Sequence, residues 1–373
     1  MARVVTIEAP RQVVIEDEPD RPLDPSDVRV ETLYSGVSAG TELTAFRGSN
    51  PYVHKRWDPE RRLFVEGEAT FAYPLRGWGY EESGRVIEVG EAVLDAWPQL
   101  RPGARVFGTW GHRERAVLSA RDLAGKVLRD DLPTIAGIFS HIGPIALNGV
   151  LDANIRIGET VAVFGLGVPG QIAARLAKAS GARVVGVDLI ASRLAAAASA
   201  GAIDLSVDAS RTPAGEAIKA FTGGRGADVA IEVSGSSRAL HEAIRSVAYQ
   251  ARVVALGFVQ GDGVGLRLGE EFHHNRIALV CSQIGDVAPE LSARWDRARL
   301  IATIMELQAD GTLDLPALVS HVLPFDRAAE AFRILDEGVD DALQIVLATD
   351  AAADEPPPRT NAGTNARTEG GER

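Results

Sequence analysis

Cysteine is almost absent from this chain of 373 residues, which has one cysteine and two methionines. A single thiol cannot form an intrachain disulfide, and it excludes any zinc site built from cysteines alone. Cys281 lies in the apolar segment IALVCSQ, which predicts a buried structural thiol.

Long apolar runs and an excess of positive charge are also missing. No apolar run approaches the about 18 residues that a membrane-spanning helix needs, and the N-terminal MARVVTIEAP has no hydrophobic signal core. The formal net charge of −12 argues against nucleic acid or an anionic membrane surface as partners. We therefore expect a cytoplasmic protein that acts on a small molecule.

The composition is that of an ordinary globular protein, 46% hydrophobic and 24% charged, with enough chain for two domains. A β-rich start, a repeating β/α middle and a helix–strand return at the end predict an α/β fold. We expect residues 1–152 and 287–349 to form a β-rich domain and residues 153–286 a doubly wound parallel-sheet domain. Residues 350–373 have almost no apolar content, which predicts a disordered tail.

The segment from Val161 to Asp188 predicts a dinucleotide site. An apolar strand leads into G-x-G-x-x-G at Gly165, Gly167 and Gly170, a helix follows, and a second strand ends at Asp188. Such a turn directs backbone N–H groups at a pyrophosphate, and the terminal acid binds ribose hydroxyls. Because Asp188 would repel a 2′-phosphate, we expect NAD(H) rather than NADP(H). The predicted cofactor residues are Gly165, Leu166, Gly167, Val168, Pro169, Gly170, Asp188, Arg193, Ser234, Gly235, Gly257 and Phe258.

Arg193 has two open interpretations, since it either stacks on the adenine or is a solvated residue of a helix face. The long connection at 48–77 is rich in aromatic residues, and loops of this length usually have a function. We expect Tyr52, Trp57 and Phe71 to contact the substrate or an interface. The alternative is a surface excursion packed by its own aromatic side chains.

Five segments together resemble the medium-chain dehydrogenase/reductase superfamily, the clan of zinc alcohol dehydrogenases and quinone reductases, over about residues 3–349. They are the glycine turn with its acid, GTELTAFRG (40–48), GYEESGRVIEVG (79–90), PGARVFG (102–108) and LPFDRAAEAFRIL (323–335). SGVSAGTEL, SHIGPIAL and GEEFHHNRIALVCSQ are similar to the branch with bacteriochlorophyllide a dehydrogenases. The resemblance implies a GroES-like catalytic domain, a Rossmann domain and a homodimer formed through the Rossmann domain.

The chain departs from this family at the catalytic zinc. Ala39 and Tyr80 stand where zinc members have a cysteine and a histidine ligand, and the third ligand position falls on His141. Since catalytic zinc needs three protein ligands, we expect no metal. The remaining alternative is an unforeseen ligand set drawn from His54, Glu81, Glu82 and His141.

Without zinc, side chains must move the proton that accompanies hydride transfer. Tyr80 and His141 stand at former ligand positions, and an imidazole with a pKa near about 6.5 suits base work at neutral pH. Thr41 matches the hydroxyl that relays the alcohol proton in zinc members, and Glu81 is the fourth candidate. The alternatives are a Tyr80 that fills the lost zinc volume, a structural His141, a turn hydroxyl at Thr41 and a salt-bridged Glu81.

The remaining histidines are assigned no chemistry. His112 and His321 are expected to be structural, and the pair His273 and His274 to line a loop, the cofactor edge or a dimer contact. The predicted function is a zinc-independent, NAD(H)-dependent dehydrogenase that interconverts a secondary alcohol and its ketone. The substrate is expected to be a polyol, a sugar-like alcohol or a cyclic natural product. The alternatives are a quinone or enoyl reductase of the same superfamily and a non-catalytic NAD(H)-binding, redox-responsive protein.

Overall fold

The computed structural model describes residues 1–259, 261–338 and 342–356. Its strands are β1 (Ala2–Ala9), β2 (Gln12–Glu18), β3 (Asp27–Val37), β4 (Lys55–Asp58), β5 (Leu63–Glu66), β6 (Leu75–Arg76), β7 (Glu82–Val89), β8 (Arg105–Gly108), β9 (Arg115–Ser119), β10 (Thr160–Phe164), β11 (Arg183–Asp188), β12 (Leu205–Asp208), β13 (Ala227–Glu232), β14 (Val247–Ala255), β15 (Ala278–Cys281), β16 (Val319–Pro324) and β17 (Gln344–Ala348).

The α-helices are distributed over the whole chain. They are α1 (Thr41–Arg47), α2 (Val93–Ala96), α3 (Ala120–Leu123), α4 (Phe139–Ala153), α5 (Val168–Ala179), α6 (Ala191–Ser199), α7 (Ala214–Phe221), α8 (Ser237–Ser246), α9 (Glu271–His274), α10 (Arg297–Ala309) and α11 (Ala328–Glu337). Short 3-10 helices span Pro51–Val53, Thr134–Ile138, Pro316–Leu318, Phe325–Arg327 and Asp350–Asp354.

The middle of the chain forms a parallel six-stranded sheet in the order β12-β11-β10-β13-β14-β15. The central strand β10, with sequence TVAVF, is buried at every position because helices cover both faces of the sheet. Phe164 pairs with Val187 on one side and with Glu232 on the other, so the carboxyl ends of β10, β11 and β13 meet at one edge. Open parallel sheets bind their ligands at this edge.

Strands from the first and last parts of the chain share a second sheet in the order β16-β17-β3-β7-β8, with β9 also paired to β3, while β1 and β2 form a separate sheet with β6 in the order β2-β1-β6. Strand β17 runs antiparallel to β3, with Ile345 opposite Val37 and Ala348 opposite Tyr34. The end of the chain therefore returns to its β-rich beginning. A parallel Rossmann-like sheet and a separate β-rich part confirm the predicted fold class.

Helix α4 connects the two sheets and differs from expectation in two ways. The sequence predicts a break at Gly143-Pro144, but the helix continues through Pro144, since packing on nearly every face compensates for one missing hydrogen bond. The stretch Thr134–Ala153 is also long and apolar enough by composition to cross a membrane, which the sequence analysis did not anticipate. However, 83% of its apolar window is buried inside the protein, as in a core helix.

Two further predictions were wrong. Cys281 is exposed rather than buried, because it ends the edge strand β15, where the apolar segment is only partly covered. The predicted disordered tail begins with an ordered turn, since Asp350–Asp354 forms a 3-10 helix and Glu355 accepts a hydrogen bond from Thr134 Oγ1 at 2.7 Å. Residues 357–373 of that tail lie outside the described residues.

A glycine in α4 sets how closely α10 approaches it. A Cβ atom at Gly143 would lie 2.6 Å from Cγ2 of Ile304, which is fully buried. We expect Gly143→Ala to lower the free energy of unfolding by about 1–3 kcal/mol despite the better helix propensity of alanine, because the helices must move apart. Denaturant unfolding measures this. The matched control is Gly125→Ala, where a Cβ meets nothing within 4 Å; an equal effect in both variants would contradict the packing argument.

Candidate active site

Tyr80 and His141 lie side by side, with ring centroids 4.7 Å apart at an angle of 56°. Tyr80 stands two residues before β7, and His141 lies in the first turn of α4. Both residues are predicted from the sequence to stand at positions that hold metal ligands in zinc members, and the structure brings them together. Both rings are partly exposed, so a small molecule can reach them.

The Tyr80 hydroxyl is held by two other hydroxyl groups. It donates to Ser38 Oγ at 2.5 Å and also hydrogen-bonds the side chain of Thr41. Burial raises the pKa of Tyr80 above its ordinary value, and the carboxyl groups of Glu81 and Glu42 raise it further. Tyr80 therefore keeps its proton at neutral pH and presents an O–H donor, while Thr41 is exposed and connects the hydroxyl chain to solvent.

His141 is a neutral imidazole. Its Nδ1 lies 3.0 Å from Nη2 of Arg297, and a guanidinium can only donate, so Nδ1 accepts and the ring proton sits on Nε2. Burial lowers the pKa of His141 to about 4, with further contributions from the charges of Arg297 and Lys126. The expectation of a base with an ordinary imidazole pKa is therefore wrong, since His141 is a hydrogen-bond donor at Nε2 at neutral pH.

Glu81 faces the sheet. Its side chain is buried, and Oε2 accepts from Nε2 of Gln344 at 3.2 Å, while the same amide donates to the Val37 carbonyl at 3.3 Å. Burial raises the pKa of Glu81 well above its ordinary value, and Glu42 and Glu82 add to the effect. Neither a catalytic role nor a salt bridge fits this placement. Glu81 instead joins β7 to the returning strand β17.

A chain of buried polar side chains lies behind Tyr80. His112 Nε2 is 2.9 Å from Glu42 Oε2, and its Nδ1 is 2.7 Å from Ser35 Oγ. Ser35 donates to Glu82, which also accepts from the Trp110 backbone N–H at 2.7 Å. The Glu and His side chains are fully buried, and this burial raises the pKa of both carboxyls and lowers the pKa of His112 to about 4. His112 is thus structural, as expected.

Glu42 connects this buried network to the main chain of the candidate catalytic residues. Its carboxyl accepts from the Ser38 backbone N–H at 3.2 Å and also from the backbone N–H of Tyr80. Ser38 and Tyr80, whose hydroxyls hydrogen-bond to each other, are therefore both held through their main chains by the buried carboxyl of Glu42. Glu42 lies in the segment GTELTAFRG, but no role was predicted for it from the sequence.

The glycine-rich turn has the geometry of a phosphate cradle. Gly165 adopts a φ of +90°, and a Cβ at Gly170 would lie 1.8 Å from the Gly165 carbonyl oxygen, so neither position accepts a side chain. Above Gly167, by contrast, a Cβ would meet only Nη1 of Arg193 at 4.0 Å. The turn leaves space at its second glycine, where a pyrophosphate would lie, and Val168 and Pro169 open helix α5 immediately after it.

Asp188 ends β11 beside this turn. Its Oδ2 accepts from the Leu166 backbone N–H at 2.6 Å and its Oδ1 from the Ile190 backbone N–H at 2.9 Å. Each carboxylate oxygen can accept a further hydrogen bond, so ribose hydroxyls remain compatible with the site. Arg193 lies close to Gly167 and donates to the Ala342 carbonyl at 3.4 Å, so it is not a freely solvated residue.

The other predicted cofactor residues meet at the ends of β13 and β14. Backbone N–H groups of Ser234 and Gly235 donate to Glu232 Oε1 at 2.8 and 3.1 Å, and Gly257 donates to the Glu232 carbonyl at 2.9 Å. A Cβ at Gly235 would lie 2.7 Å from the Phe258 carbonyl oxygen. These segments therefore pack tightly at the ligand edge of the parallel sheet, organised by a buried acid that the sequence analysis did not single out.

The aromatic residues at 48–77 pack on one another. Tyr52 contacts Phe64 and Phe71 at centroid distances of 5.4 and 5.9 Å, Trp57 contacts Phe64 at 5.1 Å, and Phe71 contacts Trp78 at 4.9 Å. Strands β4 and β5 form a hairpin here, so the segment is more regular than a loop. The series of rings ends two residues from Tyr80.

The residues at the former zinc positions do not fit a zinc ion held by three protein ligands. Ala39 has no donor atom, the Tyr80 hydroxyl bonds Ser38, and the guanidinium of Arg297 occupies His141 Nδ1 and would repel a cation. Within the described ranges, one group of three His, Cys, Asp or Glu ligand atoms lies within 4.8 Å of one another, namely His241, Glu270 and Glu271 in the α8–α9 region. The cleft at Tyr80 has no comparable group.

Comparisons with known proteins give the same family as the motifs. Residues 165–298 match the family described as zinc-binding dehydrogenase. The chain is 31% identical over 330 residues to D-guloside 3-dehydrogenase of Escherichia coli K12, and the match covers 87% of this chain and 93% of that protein. The chain belongs to the medium-chain dehydrogenase/reductase superfamily. The Shigella flexneri protein of the same name matches to the same extent.

Solved structures of this superfamily share the fold. 2R,3R-butanediol dehydrogenase from Bacillus subtilis has a TM-score of 0.74 at 22% identity, covering 93% of this chain and 99% of that chain. Galactitol-1-phosphate dehydrogenase from Escherichia coli has the same TM-score and coverage at 20% identity. The superfamily and its two-part fold are therefore confirmed.

Sequence reasoning missed three side chains of the site. Ser38 bonds Tyr80, while Arg297 and Lys126 place positive charge at His141. Ser38 stands next to Ala39 and could have been found as a hydroxyl flanking the lost ligand. Arg297 has no local pattern to reveal it, because the packing of α10 on α4 brings it to His141 across 156 residues.

The buried network predicts a large effect of removing His112. We expect His112→Ala to lower the free energy of unfolding by about 2–4 kcal/mol, because the Glu42 and Ser35 side chains lose a partner and a cavity remains. Equilibrium unfolding in urea measures this. The control is His321→Ala, whose partly exposed ring bonds only the adjacent Ser320 at 2.9 Å, and its effect should stay below about 1 kcal/mol. Equal losses would show that the network contributes nothing specific.

Proposed function

We propose that this protein is a dehydrogenase that interconverts a secondary alcohol and its ketone with a nicotinamide cofactor and without zinc. The observation that carries the proposal is the pairing of a protonated Tyr80 with a neutral His141 at the former metal position. When substrate binds, the Tyr80 hydroxyl would turn its single O–H from Ser38 Oγ to the substrate oxygen and accept from Ser38 instead, while His141 Nε2–H donates to the same oxygen. Two donors aimed at a developing oxyanion stabilise it, which is the role that zinc has in other members.

The glycine turn and Asp188 fit the pyrophosphate and the adenosine ribose of a dinucleotide, and they support NAD(H) over NADP(H). When bound, the nicotinamide supplies or takes up the hydride. In ketone reduction, Tyr80 gives its hydroxyl proton to the carbonyl oxygen while His141 Nε2–H bonds the same atom. Ser38 and Thr41 can then donate to the phenolate and return a proton from solvent, since each hydroxyl both donates and accepts.

The relatives indicate the substrate class. D-Guloside 3-dehydrogenase, 2R,3R-butanediol dehydrogenase and galactitol-1-phosphate dehydrogenase are named for substrates with several hydroxyl groups. We propose a polyol or sugar-like secondary alcohol for this chain. Phe71 packs on Trp78, which stands two residues before Tyr80 in the chain. Because of this contact, the aromatic residues Tyr52, Trp57 and Phe71 would lie beside the substrate.

A homodimer through the parallel sheet belongs to the same proposal. Strand β15 is an edge of that sheet, and Leu279 on it is 39% exposed. Unpaired edges of this kind are prone to pair with another chain. Sedimentation equilibrium should give twice the chain mass of 39.6 kDa, and a monomer at micromolar concentration would contradict this part.

Removing the Tyr80 hydroxyl tests the acid role. We expect Tyr80→Phe to lower kcat/KM about 100-fold or more on an alcohol or ketone found by screening polyols and sugars with NAD(H). NADH binding should stay unchanged. Tyr249→Phe, on a residue that is 61% exposed, is the control and should keep full activity.

Two results would contradict this account. Near-wild-type turnover by Tyr80→Phe would place the proton transfer elsewhere. One tightly bound zinc per chain, with activity lost on chelation, would show that a metal polarises the substrate. If NADH binds and no alcohol, ketone, quinone or enoyl compound is turned over, the protein is a binding protein instead.

The choice of cofactor depends on Asp188. We expect wild-type protein to bind NADH more tightly than NADPH, and Asp188→Ser to lose most of this preference, because the carboxylate accepts from the ribose and repels a 2′-phosphate. Fluorescence titration of both nucleotides measures the ratio. Asp95→Ser, on an exposed helix of the β-rich part, is the control. A wild-type preference for NADPH would contradict the assignment.

A further inference from the structure

Two cations without a carboxylate partner lie beside the catalytic pair. Arg297 Nη2 is 3.0 Å from His141 Nδ1, and the charge of Lys126 acts on the same imidazole. In the described part of the chain, neither residue has a carboxylate within 4.0 Å, although most arginines have one. An unpaired cation at an active site is available to a ligand.

The fold holds both cations there. Arg297 begins α10, whose Ile304 packs against Gly143 of α4, two residues from His141. The Lys126 carbonyl accepts from the Phe107 backbone N–H at 3.1 Å, and Phe107 packs against Gly137 just before α4. The Arg297 guanidinium thus reaches the first turn of α4 from α10, and the main chain of Lys126 is held close to the segment that precedes α4.

The acids nearby do not neutralise this charge. Glu42, Glu81 and Glu82 are buried, and burial raises the pKa of each, which favours the neutral form. Asp122 acts on Lys126 but is exposed and does not form an ion pair with it. Although the chain carries a net charge of −12, the two cations beside His141 form no ion pair with a carboxylate of the described residues.

We propose that the substrate is an anionic polyol, with a carboxylate or phosphate group that Arg297 and Lys126 bind while its secondary alcohol lies at Tyr80 and His141. This inference rests on the proposed function, since it assigns a class of substrate to the same site. A guanidinium has five N–H donors, so Arg297 can hold His141 with one and present others to the anion. Lys126 adds a second, less directional charge.

The test measures binding rather than turnover. Wild-type protein without added cofactor is titrated by calorimetry with D-gluconate, D-glucitol 6-phosphate and neutral D-glucitol at low salt. Gluconate and glucitol share a chain of hydroxyl groups and differ in one terminal carboxylate. We expect at least one anion to bind about tenfold or more tightly than D-glucitol, as charge-assisted hydrogen bonds require, and the tighter anion distinguishes a sugar acid from a sugar phosphate.

Variants locate the effect. Arg297→Gln and Lys126→Gln should each lose most of the anion preference, measured as the ratio of anion affinity to glucitol affinity in the same variant. Arg299→Gln is the matched control, because it removes the same charge from the same helix, but its guanidinium lies 4.4 Å over the Trp295 ring. It should keep the preference. Circular dichroism verifies that each variant is folded.

Three results overturn the inference. They are wild-type affinities for the anions that do not exceed that for glucitol, anion binding that survives in both variants, and equal losses in Arg299→Gln. Failure of the proposed function would give a different result. NADH binding and turnover would then be absent, but the preference for the anions over glucitol could still be measured.

Discussion

Three carboxyl groups and an imidazole lie buried behind Tyr80, and the placement of the proposed catalytic residues depends on the hydrogen bonds that these groups form. A buried polar group without a partner is costly, and most polar atoms of Glu42, Glu82 and His112 are paired, while Glu42 Oε1 has no hydrogen-bond partner among the described residues. Because Glu42 accepts from the backbones of Ser38 and Tyr80, that arrangement extends to the residues of the site. The network thus lies behind the side chains that stand at the predicted metal-ligand positions.

In the proposed mechanism, a hydroxyl and an imidazole take over the role of the metal. Zinc polarises an oxygen by its charge, whereas Tyr80 and His141 present two neutral donors whose pKa values keep their protons in place. Positive charge is still present near His141, but it comes from Arg297, which contacts the imidazole, and from Lys126. If, as proposed, the guanidinium that fixes the His141 tautomer also binds a substrate anion, the orientation of His141 and the choice of substrate are coupled.

Local patterns made much of this structure predictable. The glycine spacing and Asp188 predict the phosphate cradle, because a side chain at these glycines would collide with the backbone or fill the space that a phosphate needs. The replacement of two metal-ligand types by Ala39 and Tyr80 pointed to the candidate active site. Arg297 could not be predicted, since only the packing of Ile304 on Gly143 brings it to His141. Glu81 and Cys281 were misjudged because their surroundings come from strands β17 and β15, far along the chain or at an edge. The pKa of His141 depends on its burial and on the charges of Arg297 and Lys126, which no local pattern reveals.

The most direct test of this account is a crystal structure of the protein with NADH, grown from solution that contains zinc. The account predicts a nicotinamide ring beside Tyr80 and His141, the pyrophosphate above Gly167 and no metal between the two side chains. A zinc ion bound to His141, with Arg297 displaced from Nδ1, would contradict it, as would a nicotinamide ring remote from the Tyr80 hydroxyl.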